Sequence, residues 1–77
     1  MRYAVIDESN RKGCIDGVVT RFDTEEEALK YAEYAYWVKT EADKKSLCTF
    51  EVVAFDNEKA FDDFGEYAEI VKDYLEE

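Results

Sequence analysis

The stretch Phe22-Asp23-Thr24-Glu25-Glu26-Glu27 marks the passage from a strand into a helix in this chain of 77 residues. Thr24 followed three residues later by Glu27 is a capping box, in which the hydroxyl accepts from the Glu27 N–H and the carboxylate reaches back. Acidic residues in the first turn also favour the positive end of the helix dipole. We therefore expect a helix over Glu25–Lys39, extending at most to Lys44.

This helix is expected to bury one stripe against a sheet, because small alanines at helical spacing let the two approach closely. Trp37 falls outside that stripe, near Tyr34. Either Trp37 packs under the loop after the helix or covers its own neighbours, or it is an exposed aromatic anchor of the kind that dominates binding hot spots. The expected buried stripe comprises Ala28, Leu29, Ala32, Ala35 and Tyr36.

Two strands are expected before the helix, because Arg2–Ile6 and Val18–Phe22 are rich in β-branched and aromatic residues. Residues 8–13 form a turn-rich connector. Asp16-Gly17 offers either a tight turn or, at Gly17, a bulge. In both cases the two strands form an antiparallel hairpin.

A third strand is expected at Leu47–Phe55, after a charged connector at Thr40–Ser46. Both of its faces are largely apolar, as in strands that are covered on both sides. One helix would leave Val53 and Phe55 exposed to water. Either the last helix or a second copy of the chain must therefore cover them, giving a closed monomer or a homodimer.

A second helix is expected after Asp56-Asn57, and the part best defined by the apolar pattern is Glu66–Leu75. Gly65 interrupts that pattern. The opposite side of this helix would gather carboxylates. The expected apolar stripe is Ala60, Phe61, Phe64, Tyr67, Ala68, Val71 and Leu75, and the expected acidic side is Asp62, Glu66, Glu69, Asp73, Glu76 and Glu77.

These elements predict one α+β domain over residues 1–77, in the order β-β-α-β-α. The three strands would form a mainly antiparallel sheet of order 2-1-3 with two helices. Hydrophobic residues make up 47% of the chain and proline is absent, which is unlike the composition of a disordered acidic tail.

The net charge of -10 is concentrated in residues 56–77, which carry nine acidic and two basic residues. Such a surface disfavours direct binding to nucleic acid and to anionic membranes, and it attracts basic protein surfaces. Solubility alone also accounts for excess charge. The carboxylates best placed to imitate phosphates are Asp62, Glu66, Glu69, Asp73 and Glu76.

Histidine is absent, which removes the commonest general base and metal ligand near neutral pH. No phosphate-binding glycine motif or paired-cysteine motif is present, so we expect no catalytic residue, cofactor or metal.

Cys14 and Cys48 are expected to be buried thiols in the cytoplasm, although they could face each other across strands. Met1-Arg2 leads directly into a strand, so no signal peptide is expected, and no apolar run is long enough to span a bilayer.

The run FDTEEEALKYA at residues 22–32 resembles a group of short, largely uncharacterised proteins of phages and mobile elements, mainly from Gram-positive gut bacteria. The resemblance covers roughly residues 1–55 and implies an N-terminal hairpin, this junction and a third strand, with no catalytic residues. In size and charge the chain is also similar to small anti-CRISPR and anti-restriction proteins that imitate nucleic acid.

The sequence therefore favours a non-enzymatic protein-interaction module, homodimeric and of phage or mobile-element type. One alternative is an acidic, nucleic-acid-mimicking inhibitor of a host defence protein. Another is a small enzyme or ligand carrier that uses carboxylates or Cys14, which would require a deep pocket. The candidate interaction residues are Tyr34, Trp37, Val53, Phe55, Asp62, Glu66, Glu69, Asp73 and Glu76.

Overall fold

A computed structural model of the chain describes residues 1–75, with the side chain of Arg11 left out of the description. Within that range the strands form one antiparallel sheet of order β2-β1-β3-β4. The elements in chain order are β1 (Arg2–Arg11), β2 (Cys14–Phe22), α1 (Glu25–Trp37), α2 (Glu41–Ser46), β3 (Leu47–Phe55), α3 (Glu58–Phe64) and β4 (Glu69–Asp73).

The α+β class and the relative order of the first three strands agree with the sequence prediction, and β1 is indeed flanked by β2 and β3. Two elements were not predicted. The expected charged connector contains α2, because Thr40 caps a short helix by accepting from the Asp43 N–H at 3.1 Å. The other is β4, so the sheet has four strands and the predicted β-β-α-β-α order is incomplete.

The β1–β2 hairpin turns at Lys12-Gly13, where φ is 54° and 82°. Two consecutive positive φ values are typical of the type I′ turn, whose twist matches that of paired strands. The expectation of a turn or bulge at Asp16-Gly17 is wrong, since Gly17 pairs with Glu8 inside the ladder. Both strands extend further than their apolar residues indicated, because the ladder continues through polar residues.

The sheet has two faces, each covered by a different helix. On the face that we call the α1 face, Ala28 and Ala32 of α1 pack against Val5, Phe50 and Val52. On the opposite side, the α3 face, Phe61 of α3 packs with Ala4, Val53 and Phe55. The two-sided apolar pattern of the third strand is thereby explained, because β3 is covered on both faces within one chain.

The expected long final helix is wrong. The helix α3 ends at Phe64, and Gly65 follows with φ of 68°, the left-handed conformation that commonly stops a helix. The chain then returns along the free edge of β3, where the Ala68 N–H donates to the Ala54 carbonyl at 2.8 Å. Residues Glu69–Asp73 complete the edge as β4, and pairing satisfies backbone groups that β3 would otherwise expose.

Candidate functional site

The capping box fixes the start of α1 and so sets which side of the helix faces solvent. The Thr24 hydroxyl accepts from the Glu27 N–H at 3.2 Å and lies 2.9 Å from the Glu27 carboxylate, to which it donates. The predicted helix start is confirmed, while the helix ends at Trp37 instead of Lys39. With Ala28 and Ala32 fully buried, the residues about half a turn away are directed outward.

An apolar and aromatic row occupies that outward side. Tyr34 is 68% exposed and Trp37 is 72% exposed, so the expectation that Trp37 packs under the following loop is wrong. Among residues 1–75, the one ring or cation contact of Trp37 is with the Lys44 ammonium of α2, whose nitrogen lies 5.6 Å from the ring centre. We call this surface the α1 row. It consists of Tyr34 and Trp37, with Tyr31 at its edge, where the ring also packs 5.3 Å from that of Phe22, and Val38 directly after the helix.

Val53 and Phe55 are 0% and 1% exposed, so neither offers a contact surface in the folded chain. The Phe55 and Phe61 rings stack with their centroids 4.3 Å apart and their planes 6° from parallel. The need for a second copy of the chain at these two residues is thereby removed, because α3 already covers them.

The predicted acidic helix side does not form, because its members lie on separate elements. Asp62 on α3 forms an ion pair with Arg21. Glu66 is exposed in the segment after α3, and Glu69 and Asp73 belong to β4. Glu76 and Glu77 lie outside the described residues. A single helical row of carboxylates is therefore not available to imitate a phosphate backbone.

Ion pairs that the sequence did not reveal hold α3 on the sheet. Arg2 of β1 pairs with Glu58, and also with Asp23 at 3.2 Å. The Arg21 guanidinium, which pairs with Asp62, lies 5.1 Å from the centre of the Phe61 ring. These contacts place α3 over one end of the α3 face and leave the remainder of that face open.

The open part is a groove of about 400 Å³, which we call the α3-face groove. Its floor is formed by β1, β2 and β3 through residues that include Ile6, Val19 and Glu51, and its wall by α3 and Tyr67. The sequence pattern missed it, since it exists only because α3 is short. The available signal was Glu51, a charged residue on the same side of the third strand as Val53 and Phe55.

Burial raises the pKa of the Glu51 carboxyl, and the nearby Asp73 and Glu8 carboxylates raise it further. A raised pKa in the folded state means that the charged form of Glu51 lowers stability at neutral pH. Below the ordinary glutamate pKa of about 4.3 the carboxyl is neutral in both states, and the penalty is absent.

Glu51→Gln is therefore expected to raise the free energy of unfolding at pH 7 by up to about 0.5 kcal/mol, a value reduced for solvent screening. Urea denaturation followed by circular dichroism between pH 4 and pH 8 measures this. The gain should shrink as the pH falls through the raised pKa of Glu51, and a gain of equal size at pH 4 would contradict the assignment.

Cys14 and Cys48 are both exposed free thiols, so the expectation that they are buried is wrong. Cys14 opens β2 next to the hairpin turn. No group of three or more histidine, cysteine, aspartate or glutamate side chains among residues 1–75 is arranged to hold a metal ion. Over the same residues, no helix has the length and apolar character needed to cross a membrane.

The surfaces that stand out in the geometry are thus the α1 row, the α3-face groove and the acidic residues dispersed around β4. No protein-family model matches the chain, and no curated protein or solved structure matches it either.

Proposed function

We propose that this chain is a non-enzymatic protein-interaction module that binds a partner protein through the α1 row. The observation that carries the proposal is the exposure of Trp37, at 72%, beside that of Tyr34 on the same helix. Tryptophan and tyrosine are the residue types most enriched in binding hot spots, where they supply large apolar area in a few side chains.

The α1 row favours binding because the helix that carries it is fixed in place. The opposite stripe of α1 is fully buried at Ala28 and Ala32, and Thr24 caps the helix start. A surface on a fixed helix loses little conformational freedom when a partner binds, so more of the contact energy contributes to affinity.

The resemblance of residues 22–32 to phage and mobile-element proteins suggests the setting in which such a module works. The rival proposal, an acidic inhibitor that imitates nucleic acid, still has the net charge of -10 in its favour. It has lost the single helical row of carboxylates on which it was based, and Asp62 is already neutralised by Arg21. A small enzyme using Cys14 would need a pocket at a thiol that is exposed beside the hairpin turn.

The experiment is capture of partners from the native host with a tagged chain, repeated at about 0.05 M and 1 M salt, where the Debye length falls to about 3 Å. Retention at 1 M salt supports a contact made by the α1 row. Trp37 is the only tryptophan, so its fluorescence should shift to shorter wavelength when the purified partner is added. A capture that is lost at 1 M salt, with unchanged fluorescence, would favour the acidic inhibitor.

A homodimer remains a prediction of the same kind, with a second copy of the chain as the partner. Analytical ultracentrifugation at micromolar concentration decides it. A mass near twice 9.0 kDa with blue-shifted Trp37 emission would place the self-contact on the α1 row, and a mass of one chain would exclude the dimer at that concentration.

A further inference from the structure

The α3-face groove lies on the opposite side of the sheet from α1, so any role that it has is separate from the α1 row. Its floor is apolar at Ile6 and Val19, and its wall is aromatic at Phe61 and Tyr67. Its volume of about 400 Å³ is at the lower end of the range of about 300–1,000 Å³ for ligand-binding clefts. A long side chain with parts of its neighbours fits a space of this size.

Some of the described charged side chains in the groove have an ion-pair partner and others do not. At the α3 end, Arg21 and Asp62 neutralise each other. Away from that end, the groove contains the Glu8 and Glu51 carboxylates, and Asp73 is paired beside Glu51 in the β3–β4 ladder. Among the described side chains, no basic group lies within ion-pair distance of Glu8 or Glu51. The groove therefore holds an excess of negative charge next to an apolar floor.

We propose that the α3-face groove binds a basic side chain, lysine or arginine, carried by an extended segment of a partner protein. The aliphatic stem of that side chain lies against Ile6 and Val19, and its cationic end reaches Glu8 and Glu51. Lysine and arginine combine an apolar stem with a terminal charge. The groove complements both parts, because it has apolar residues for the stem and carboxylates for the charge.

Charge complementarity selects this occupant over the others. A wholly apolar side chain would bury the carboxylates without a partner, which is unfavourable, and an anion would be repelled. A cation relieves the mutual repulsion of Glu51, Asp73 and Glu8, which adds to the effect of burial in raising the pKa of Glu51. The exposed ring of Tyr67 adds a cation–π surface at the rim.

The test uses two seven-residue peptides, acetylated and amidated, one alternating lysine with threonine and the other alternating glutamine with threonine. Each is titrated into the isotope-labelled full chain, and backbone amide shifts are followed by NMR. The lysine peptide should shift the amides of Ile6, Val19 and Tyr67, while the glutamine peptide should leave them unchanged. The double variant Glu8→Gln/Glu51→Gln should weaken binding of the lysine peptide by about tenfold.

The matched control is Glu26→Gln/Glu33→Gln, which removes the same two charges from exposed positions on α1, on the other side of the sheet. It should change the affinity by less than about twofold, because surface charges contribute little at physiological salt. Equal weakening by both double variants, or shifts centred on α1, would show only general attraction to an acidic protein and would overturn the proposal. The amide spectrum of each double variant without peptide should keep the dispersion of the parent spectrum, which separates a loss of binding from a loss of the fold.

The outcome is independent of the proposed function. Trp37→Ala should leave binding of the lysine peptide unchanged, because Trp37 is on the α1 face and does not line the groove. Peptide binding that survives this change, whether or not the α1 row binds a partner, assigns the groove its own role.

Discussion

Phe61→Ala is expected to destabilise the chain by about 3–5 kcal/mol, the usual loss when a buried phenylalanine is truncated. Phe61 is 6% exposed and is the aromatic residue that α3 contributes to the core on its face of the sheet. It stacks on Phe55 and lies under the Arg21 guanidinium. A domain of this size has only about 3–5 kcal/mol of net stability, so the variant should be largely unfolded at 25 °C.

Phe64→Ala is the matched control, because Phe64 is on the same short helix and is 78% exposed. Its free energy of unfolding should stay within about 0.5 kcal/mol of the parent value, as for most surface substitutions. Urea denaturation monitored by circular dichroism measures both variants. If the two proved equally destabilising, α3 would not present Phe61 to the sheet as described, and the longer helix expected from the sequence would regain support.

The comparison of these two variants tests the largest error of the sequence prediction, which was a long final helix. Apolar residues from Phe61 to Leu75 recur at helical spacing, and the spacing alone gave no reason to stop at Gly65. The structure stops there because Gly65 takes a positive φ and because β3 offers an unpaired edge. The β-branched pair Ile70-Val71 was the local signal for a strand. This segment forms a strand only because the unpaired edge of β3 is available to pair with it.

The first half of the chain was predictable because its signals are local. The capping box at Thr24 and Glu27 fixed the start of α1 in both the sequence and the structure. The length of the hairpin was not predictable from apolar residues, since β1 continues through Asp7, Glu8 and Ser9. Backbone pairing with β2 and β3 extends this strand, and such pairing is not encoded in the side-chain pattern of one segment.

The parts of the candidate site also differ in how far they could be predicted from local sequence signals. Tyr34 and Trp37 could be identified from the sequence, because their direction follows from the period of a single helix. The α3-face groove could not, because it requires Glu8 from β1, Glu51 from β3 and the end of α3 to meet. Val53 and Phe55 illustrate the intermediate case: the need to cover them was predicted, but what covers them was decided by tertiary packing.

Trp37→Ala is expected to weaken binding of a partner captured through the α1 row by at least about 2 kcal/mol, or about 30-fold in Kd. The reason is that 72% of Trp37 is available to a partner, while its one described ring contact is with the Lys44 ammonium, 5.6 Å from the ring centre. Isothermal titration calorimetry with the purified partner measures the change. The free energy of unfolding should change by less than about 0.5 kcal/mol, because the side chain makes almost no core contact.

Phe64→Ala again supplies the control, because it removes an aromatic side chain of similar exposure from the other side of the sheet. The partner should bind this variant with unchanged Kd, which separates a specific contact at the α1 row from general adhesion to exposed rings. Tyr34→Ala should reproduce a smaller part of the Trp37 effect, since hot-spot residues cluster. If Trp37→Ala bound the partner as tightly as the parent while Phe64→Ala did not, the interaction surface would lie on the α3 face, and the α1 row would have no part in it.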